Sequence, residues 1–403
     1  MSSLPLANIL HHKVRSALSA LGIAIGVGML ITLSGLSHGS LSEVADRWES
    51  VDADLIIYSR AWGENLTTLS GLGLSDKFAA KILAEHGDIA ASAVPVFLWP
   101  VKLGGDDQMA ACVDPDQWQM LVGQRKLRGR LFDPDKKFSQ WITRKLLETP
   151  ADPNETFDPQ EPDLSAPEHN GLEMIIDSKL AHKGNWNVGD TVLAANHHWR
   201  IVGIVPAGGM TRVYLPRRTG QFLFGNGDLT KSTLIFVKLK EGIGPDAATR
   251  PLRSLGQKVV RVKDYRAMLE AKFGVMFWYV QTVNIIALII AFLFTMTILY
   301  TMVLQRTREI AILKSCGASK AFILWQVLAE SMLLTAIGTT AGIGLSFAAA
   351  WLIETFLPLR TVTITWHWIA CAAAAAVTGA ALSGLYPAWR ATRVDMVEAL
   401  TLE

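Results

Sequence analysis

Cysteine and charge are both scarce in this chain. Its 403 residues include three cysteines, and 18% of the residues are charged against 50% that are hydrophobic. Soluble proteins carry about 25% charged residues. Cys112, Cys316 and Cys371 fall in three different parts of the chain, so we expect no disulfide framework. A net charge of +2 also gives no reason to expect nucleic-acid binding.

Sequence motifs for nucleotide, metal and catalytic chemistry are missing. The chain has no G-x-x-x-x-G-K-[ST] stretch, which excludes phosphate binding by a P-loop, and it has no H-E-x-x-H or C-x-x-C. His197 and His198 are adjacent on a predicted strand, which directs their rings to opposite faces and disfavours a metal site. We therefore expect no catalytic residue, no metal and no cofactor bound by this chain.

What the chain has instead is four long apolar stretches, arranged as one plus three around a polar insert. They cover residues 17–37, 278–304, 322–356 and 367–388. A helix needs about 20 apolar residues to cross the core of a bilayer, so each stretch predicts a transmembrane helix. Short strands and amphipathic helices mix within the insert, which predicts a large α/β domain outside the membrane. The expected fold class is an α+β membrane protein.

These stretches define the predicted domains. The chain divides into a cytoplasmic interfacial amphipathic helix (1–16), transmembrane helix 1 (17–40), an extracytoplasmic domain (41–275), transmembrane helix 2 (276–304), a cytoplasmic loop (305–321), transmembrane helix 3 (322–356), a short extracytoplasmic loop (357–366), transmembrane helix 4 (367–388) and a cytoplasmic tail (389–403). A cleaved signal peptide at the first stretch is disfavoured, because the apolar run is long and no A-x-A-like site follows it.

Basic residues set the predicted orientation. They cluster before the first apolar stretch, within 305–321 and after the last stretch, whereas 357–366 contains only Arg360. By the positive-inside rule, both termini and the 305–321 loop are cytoplasmic and the insert is extracytoplasmic. Within the insert, residues 148–170 are rich in Pro, Asp, Glu and Asn, which indicates a solvated loop; an arm that binds a partner is the alternative.

Small residues recur at four-residue spacing in two of the apolar stretches. Gly22, Gly26 and Gly28 lie in the first stretch, and Gly338 and Gly342 lie in the third. This spacing lets helix backbones approach closely in lipid, so these glycines are predicted to pack helices and to form a dimer face. Ordinary tolerance of glycine in membrane helices is the alternative.

Glu330 places a carboxylate inside the third apolar stretch. A charged group at such a position is a candidate relay for protons or substrate. Its position near the cytoplasmic end favours a structural role instead, in which the side chain reaches the interface or pairs with Lys320 or Arg308.

Several sequence motifs carry a family resemblance. The loop reads QRTREIAILKSCGASK (305–320), and the C-terminal segment reads YPAWRATRVDMVEAL (386–400). Both closely resemble stretches of ABC transporter permeases of the MacB/LolC-E/FtsX type. Residues 8–27 resemble that family's first helix, and NVGDTV, WRIVGIV and VYLP between residues 187 and 216 resemble its outer domain. Gln305 and Met396 depart mildly from the pattern, and residues 100–170 match none of it.

The resemblance implies the membrane subunit of a mechanotransmission (type VII) ABC transporter with a MacB-like periplasmic domain. It implies a multi-pass protein of the bacterial inner membrane that works with a cytoplasmic ABC ATPase dimer, which holds ATP and Mg. It further implies a second permease copy or paralogue, and a periplasmic adaptor with an outer-membrane channel. The family's coupling helix, which inserts into the ATPase, corresponds to Arg306, Arg308, Glu309, Ile310, Lys314, Gly317 and Ala318. Gly317 is placed to end that helix.

Substrate export, as in tripartite efflux, is the function that we expect from this resemblance. A lipoprotein-extracting LolC/E-like subunit and an FtsX-like regulator of a cell-wall hydrolase are the alternatives. The size of the insert weighs against the FtsX-like role. A membrane-anchored sensor or enzyme would need an effector domain or a catalytic cluster, and neither is visible in the sequence.

Overall fold

The structure is a computed structural model that forms two compact units. It describes residues 13–62, 70–71, 73–123, 125–133, 172–226, 228–305 and 307–392. One unit comprises Met1–Ser40 with Phe273–Glu403, and the other comprises Leu41–Lys272. We call them the helical unit and the α/β unit. Their divisions lie at or near the boundaries predicted after residues 40 and 275. Residues 1–12 of the predicted interfacial helix, the 148–170 loop and the tail beyond Thr392 lie outside the described residues.

The secondary structure alternates between helices and short strands. In chain order the elements are α1 (Lys13–Glu49), β1 (Leu55–Tyr58), β2 (Leu74–Ser75), α2 (Lys77–Glu85), β3 (Ala90–Leu103), β4 (Asp106–Val113), α3 (Trp118–Val122), β5 (Arg128–Gly129), β6 (Glu173–Asp177), α4 (Ser178–Gly184), β7 (Thr191–Ala194), β8 (His197–Val205), β9 (Val213–Pro216), α5 (Arg217–Phe224), β10 (Lys231–Ser232), β11 (Leu234–Leu239), α6 (Pro245–Arg253), β12 (Lys258–Arg261), α7 (Tyr265–Gln305), α8 (Thr307–Ser315), α9 (Lys320–Phe356) and α10 (Trp366–Thr392).

Four of these helices, α1, α7, α9 and α10, are long and apolar enough to cross a membrane. This confirms the one-plus-three arrangement and the α+β membrane fold class. Both α1 and α7 are longer than the apolar stretches that predicted them, because the helical pattern continues into residues of the α/β unit. Ala45 and Trp48 near the end of α1, and Tyr265 and Leu269 at the start of α7, are buried there.

The helical unit is held together by an apolar face of α1. Ile23, Val27 and Ile31 of this helix form a buried cluster with Ala372 and Ala376 of α10. The opposite face of α1 is exposed, as expected for a helix that meets lipid on one side and protein on the other. At its start, α9 is capped by Ser319, whose hydroxyl accepts a hydrogen bond from the Phe322 amide at 3.2 Å.

The α/β unit contains a mixed sheet with the strand order β12-β1-β11-β3-β4-β9-β6-β8-β5, and β7 pairs with β8. Most pairs are antiparallel, but β4 with β9 and β6 with β8 are parallel. Strand β3 pairs with strands of both ends of the sheet. Its residues 90–96 pair with β11, and its residues 97–103 pair with β4. A core between the β12–β3 end of the sheet and helices α2 and α6 includes Ile57, Ile82, Ile235 and Leu252.

Candidate functional site

The short helix α8 connects two candidate membrane spans, at the position that the sequence predicted for a coupling helix. Its two faces differ. Ile310 and Ala311 are 9% and 0% exposed, and Ile310 packs with Val303 of α7 and Ile323 of α9. The residues on the other side are exposed: Arg308, Ile312, Ser315, Cys316 and Gly317. The helix is therefore anchored to the ends of both neighbouring candidate spans, and its opposite face is exposed.

Gly317 ends α8 in the conformation that a helix C-terminus favours. Its φ of 91° lies in the left-handed region, where a side chain would be strained. The Gly317 amide donates to the Lys314 carbonyl, and the Ala318 amide donates to the Leu313 carbonyl, both at 3.0 Å. This pair of bonds is a Schellman motif, which satisfies the last carbonyls of the helix and turns the chain towards α9.

The predicted coupling residues do not all lie on the exposed face. Ile310 is buried against the protein's own helices, and its role in coupling to an ATPase stays a prediction. The Lys314 ammonium donates to the Thr392 carbonyl at the end of α10, 2.8 Å away, which gives it a role within the chain. Arg306 and the side chain of Glu309 lie outside the described residues. An amphipathic pattern shows that a helix has an apolar face but not which surface covers that face.

The glycines of α1 and α9 allow close helix packing within one chain. A Cβ atom at Gly338 would lie 2.8 Å from Cβ of Ile23, and one at Gly342 would lie 2.8 Å from the Ala24 carbonyl oxygen. Gly28 also faces Gly342 of α9, whereas Gly22 and Gly26 face Phe294 and Ala291 of α7. These contacts show the five glycines at close approaches between helices of the same chain, and a role in a dimer face stays a prediction.

Glu330 lies on the buried side of α9. Its side chain is 6% exposed, so it faces the protein and does not extend to the surface as a snorkelling side chain would. On the same helix, the Ser331 hydroxyl donates to the Ala380 carbonyl of α10 at 3.0 Å. A role as a proton or substrate relay stays a prediction.

Within the α/β unit, the end of α1 is fastened to the start of α7. The ring of Trp48 stacks on that of Tyr265. Beside this stack, the Arg266 guanidinium contacts the Asp46 carboxylate at 2.5 Å and the Glu49 carboxylate at 3.4 Å. The two segments that continue into candidate membrane spans are therefore joined by an aromatic contact and by ion pairs.

A group of five charged residues, three of which are buried, links α1 to the far end of the sheet. We call Glu43, Arg47, Asp177, Lys179 and Arg212 the ion cluster. Arg212 contacts Glu43 at 2.9 Å and Asp177 at 3.3 Å, and Arg47 contacts the same two carboxylates at 2.7 and 3.5 Å. Asp177 also caps α4 by accepting a hydrogen bond from the Leu180 amide at 2.8 Å. Burial raises the pKa of Asp177 and lowers that of Arg212.

No local sequence pattern indicates the ion cluster. Glu43 and Arg212 are 169 positions apart, and each is an ordinary polar residue in its local pattern. One feature of the sequence could have indicated a buried ion pair: the charged residue Arg212 stands directly before the apolar strand β9. Among the described residues, no three His, Cys, Asp or Glu side chains are grouped so that they could hold a metal ion.

Comparison with protein families accounts for most of the chain. Residues 16–255 match the family model of the MacB-like periplasmic core domain, and residues 282–396 match that of the FtsX-like permease C-terminal region. The chain belongs to the MacB-like ABC permease family. This confirms the resemblance that the sequence motifs indicated. The two matched regions include α8 and the ion cluster.

Two relatives of this MacB-like permease illustrate its range. It is 24% identical to the "Macrolide export ATP-binding/permease protein MacB" of Neisseria meningitidis, in a match that covers 97% of this chain and 59% of the relative. The chain thus spans about three-fifths of the length of that relative. It is also 24% identical to the "Uncharacterized ABC transporter permease YknZ" of Bacillus subtilis, with 99% of this chain and 98% of the relative covered.

Solved structures of outer domains are similar to part of the MacB-like permease. The periplasmic region of MacB from Actinobacillus actinomycetemcomitans matches 54% of this chain and 92% of its own length, with 15% identity and a TM-score of 0.35. The extracellular domain of the transporter YknZ matches 52% of this chain with a TM-score of 0.31.

Proposed function

We propose that this MacB-like permease is the membrane subunit of an exporter driven by ATP hydrolysis in a separate ABC ATPase. The observation that carries the proposal is the two-faced packing of α8. A partner that binds Arg308 and Ile312 on the exposed face would move the helix. The buried contacts of Ile310 would pass this movement to α7 and α9. ATP binding would then shift the equilibrium between two arrangements of the spans. The size of that shift is set by the difference in the affinity of the ATPase for the two arrangements.

The wider assembly follows from this role. ATP and Mg are held by the ATPase, and the permease has no catalytic residue of its own. Two permease copies, or a copy and a paralogue, stand in the bacterial inner membrane with both termini in the cytoplasm. The α/β unit then faces a periplasmic adaptor and an outer-membrane channel. Export is supported by the name of the MacB relatives, although those proteins are longer than this chain.

Inside the chain, α1 and α7 give the movement a path to the α/β unit. Each helix continues without a break from a candidate span into residues that belong to that unit. Within the unit, the stack of Trp48 on Tyr265 joins the two helices. The ion cluster connects α1 onward to β6 and α4 through Asp177. The arrangement supports transmission of a mechanical change to the α/β unit.

The test is reconstitution of the full chain with candidate ABC ATPases, followed by measurement of ATP hydrolysis and co-purification. Ile312→Asp and Arg308→Glu change the exposed face of α8 and should abolish the stimulated hydrolysis while the permease remains folded. Arg308→Lys, which keeps the charge, should retain most of it. If Ile312→Asp leaves both hydrolysis and co-purification intact, α8 is not the ATPase contact. If no ATPase associates with the wild-type chain, the transporter proposal fails.

The substrate is tested in the same preparation. ATP-dependent transport of a macrolide in proteoliposomes, with an adaptor and a channel supplied on the side of the α/β unit, would support export. Release of lipoprotein from vesicles would favour the LolC/E-like role. Activation of a cell-wall hydrolase without transport would favour the FtsX-like role.

A further inference from the structure

Strand β12 lies at one end of the described sheet, and β1 is its neighbour there. The Val262 amide donates to the Asp54 carbonyl at 3.0 Å, so residues 54 and 262 form a hydrogen-bonded pair. In an antiparallel ladder such pairs alternate with pairs whose amides and carbonyls point away from each other. Val260 therefore bonds towards β1, and Val259 and Arg261 direct their backbone groups to the outer edge of the sheet.

A groove of about 440 Å³ runs beside this edge. One wall is helix α6, which contributes Thr249, Arg250 and Arg253, and the other side includes Met268 of α7. Val260 and Arg261 of β12 also line the groove. A groove between an edge strand and a helix is a shape that proteins use to bind an extended peptide as an additional strand.

The charges in the groove are not balanced. Arg261 takes both nearby carboxylates: it contacts Asp264 through two bonds of 2.6 and 2.9 Å, and Asp246 at 2.7 Å. Arg250 and Arg253 have no carboxylate within salt-bridge distance among the described residues. Arg253 donates instead to the Val259 carbonyl, at a long 3.3 Å. Two guanidinium groups are therefore available to acidic groups of a partner.

We propose that this groove binds an extended acidic segment of a partner protein, which adds to the sheet beside β12. The backbone of the segment would pair with the outer groups of Val259 and Arg261. Carboxylates at alternate positions lie on one face of a strand, so they could contact Arg250 and Arg253 together. The weak bond from Arg253 to Val259 would be exchanged for these contacts. This inference does not depend on the proposed coupling to an ATPase.

Charged side chains at a sheet edge also have a simpler use, which is to prevent edges of different molecules from pairing. The two roles give opposite results with peptides. An edge that only repels other strands binds no extended peptide. A docking edge binds acidic strands and rejects basic ones.

The probe is a short, blocked peptide of alternating Glu and Val with a fluorescent label, added to the full chain in detergent. We expect fluorescence anisotropy to show binding, and a matched Lys and Val peptide to show none. Arg250→Glu with Arg253→Glu should weaken binding by about tenfold or more, as expected for the loss of two charge-assisted contacts. Lys240→Glu makes the same kind of change at an exposed residue that does not line the groove, and should leave binding unchanged.

Hydrogen exchange decides whether the peptide adds as a strand. Bound peptide should slow exchange at the amides of Val259 and Arg261, and leave that of Val260 unchanged because it already faces β1. Absence of binding by the Glu and Val peptide overturns the proposal. So does binding with unchanged exchange at Val259 and Arg261, or binding that survives the charge reversal. Equal melting temperatures of the variants and the wild type exclude misfolding as the cause of a loss.

Discussion

The indole ring of Trp48 stacks on the phenol ring of Tyr265, with ring centroids 4.4 Å apart and ring planes 14° from parallel. The two residues are 7% and 2% exposed. They come from the end of α1 and the start of α7, which are far apart in the sequence. The stack therefore brings together the two ends of the chain segment that forms the α/β unit. It lies where both helices continue towards candidate spans.

Trp48→Ala should destabilise the α/β unit strongly. Replacing a large buried aromatic side chain by alanine costs about 3–5 kcal/mol of the free energy of unfolding. Tyr265→Phe keeps the stacked ring and should cost much less. Thermal unfolding of the full chain in detergent, followed by near-ultraviolet circular dichroism, measures both. Equal losses in the two variants would show that the stack is not the stabilising contact.

Gly342→Ala should weaken the packing of α9 on α1, whereas Gly344→Ala should be tolerated. A Cβ atom at Gly342 meets the Ala24 carbonyl and the Val27 side chain within 3 Å, but one at Gly344 meets nothing within 4 Å. Overpacking of this kind costs about 1–3 kcal/mol. The melting temperatures of both variants in detergent test the difference. A tolerated Gly342→Ala would mean that the two helices can separate at no cost.

Arg212→Ala should destabilise the α/β unit because it leaves the Asp177 carboxylate, which is 1% exposed, with less compensating charge. Removal of one partner from a buried ion pair costs about 3–5 kcal/mol. Lys81→Ala breaks the exposed pair with Glu85 and should cost at most about 1 kcal/mol. Chemical denaturation compares the two variants. Similar small losses would show that water replaces Arg212 in the ion cluster.

Asp177 should make stability fall as pH rises above the ordinary aspartate range. Burial raises the pKa of Asp177 above its usual 3.8, although Arg212 opposes the shift. The folded chain then holds this proton at pH values where the unfolded chain has lost it. The contribution of Asp177 to the free energy of unfolding is therefore complete below pH 3.8 and declines as the pH rises above that value. Asp177→Asn should remove that decline from a plot of melting temperature against pH.

Asp228→Asn is the matched control for Asp177→Asn. The Thr230 hydroxyl lowers the pKa of Asp228, so this group contributes stability above the ordinary aspartate range and loses it as pH falls. The two variants should therefore change the pH dependence in opposite directions. Changes of the same sign would contradict the assigned shift of Asp177.

Cys112 should resist thiol reagents that modify Cys316. Cys112 is fully buried in β4, and burial raises its pKa, so it stays a protonated thiol at neutral pH. Cys316 is exposed just after α8. In single-cysteine variants, a membrane-impermeant maleimide should label Cys316 in inside-out vesicles. In right-side-out vesicles, where the proposed orientation places Cys112 on the accessible side, it should label Cys112 only after unfolding. Rapid labelling of native Cys112 would contradict its burial, and labelling of Cys316 in right-side-out vesicles would contradict the proposed orientation.

The sequence was sufficient for the features that depend on local patterns. An apolar run of bilayer length leaves few alternatives to a spanning helix, which is why the four long helices were predicted correctly. Gly317 was predicted to end α8 because a glycine directly after an amphipathic turn suits the left-handed conformation seen there. The ends of α1 and α7 differ most from the prediction, since helices continue past the apolar region wherever packing supports them.

Features that depend on partners distant in the sequence could not be predicted. The direction of Ile310 depends on contacts with Val303 and Ile323, and the same pattern would suit a helix that docks on another protein. The neighbours of the glycines in α1 and α9 could not be predicted either, because small residues indicate that two helices approach closely but not which helices these are. The ion cluster is hidden for the same reason.

Strand β3 bonds to β11 along its first half and to β4 along its second half, with no loop between the halves. At about 3.3 Å per residue, its 14 residues form one continuous strand about 45 Å long. The two ends of the sheet are therefore connected through the backbone of a single strand, which changes its partner between Val96 and Phe97. Rotation of the backbone at that point would change the angle between the two ends.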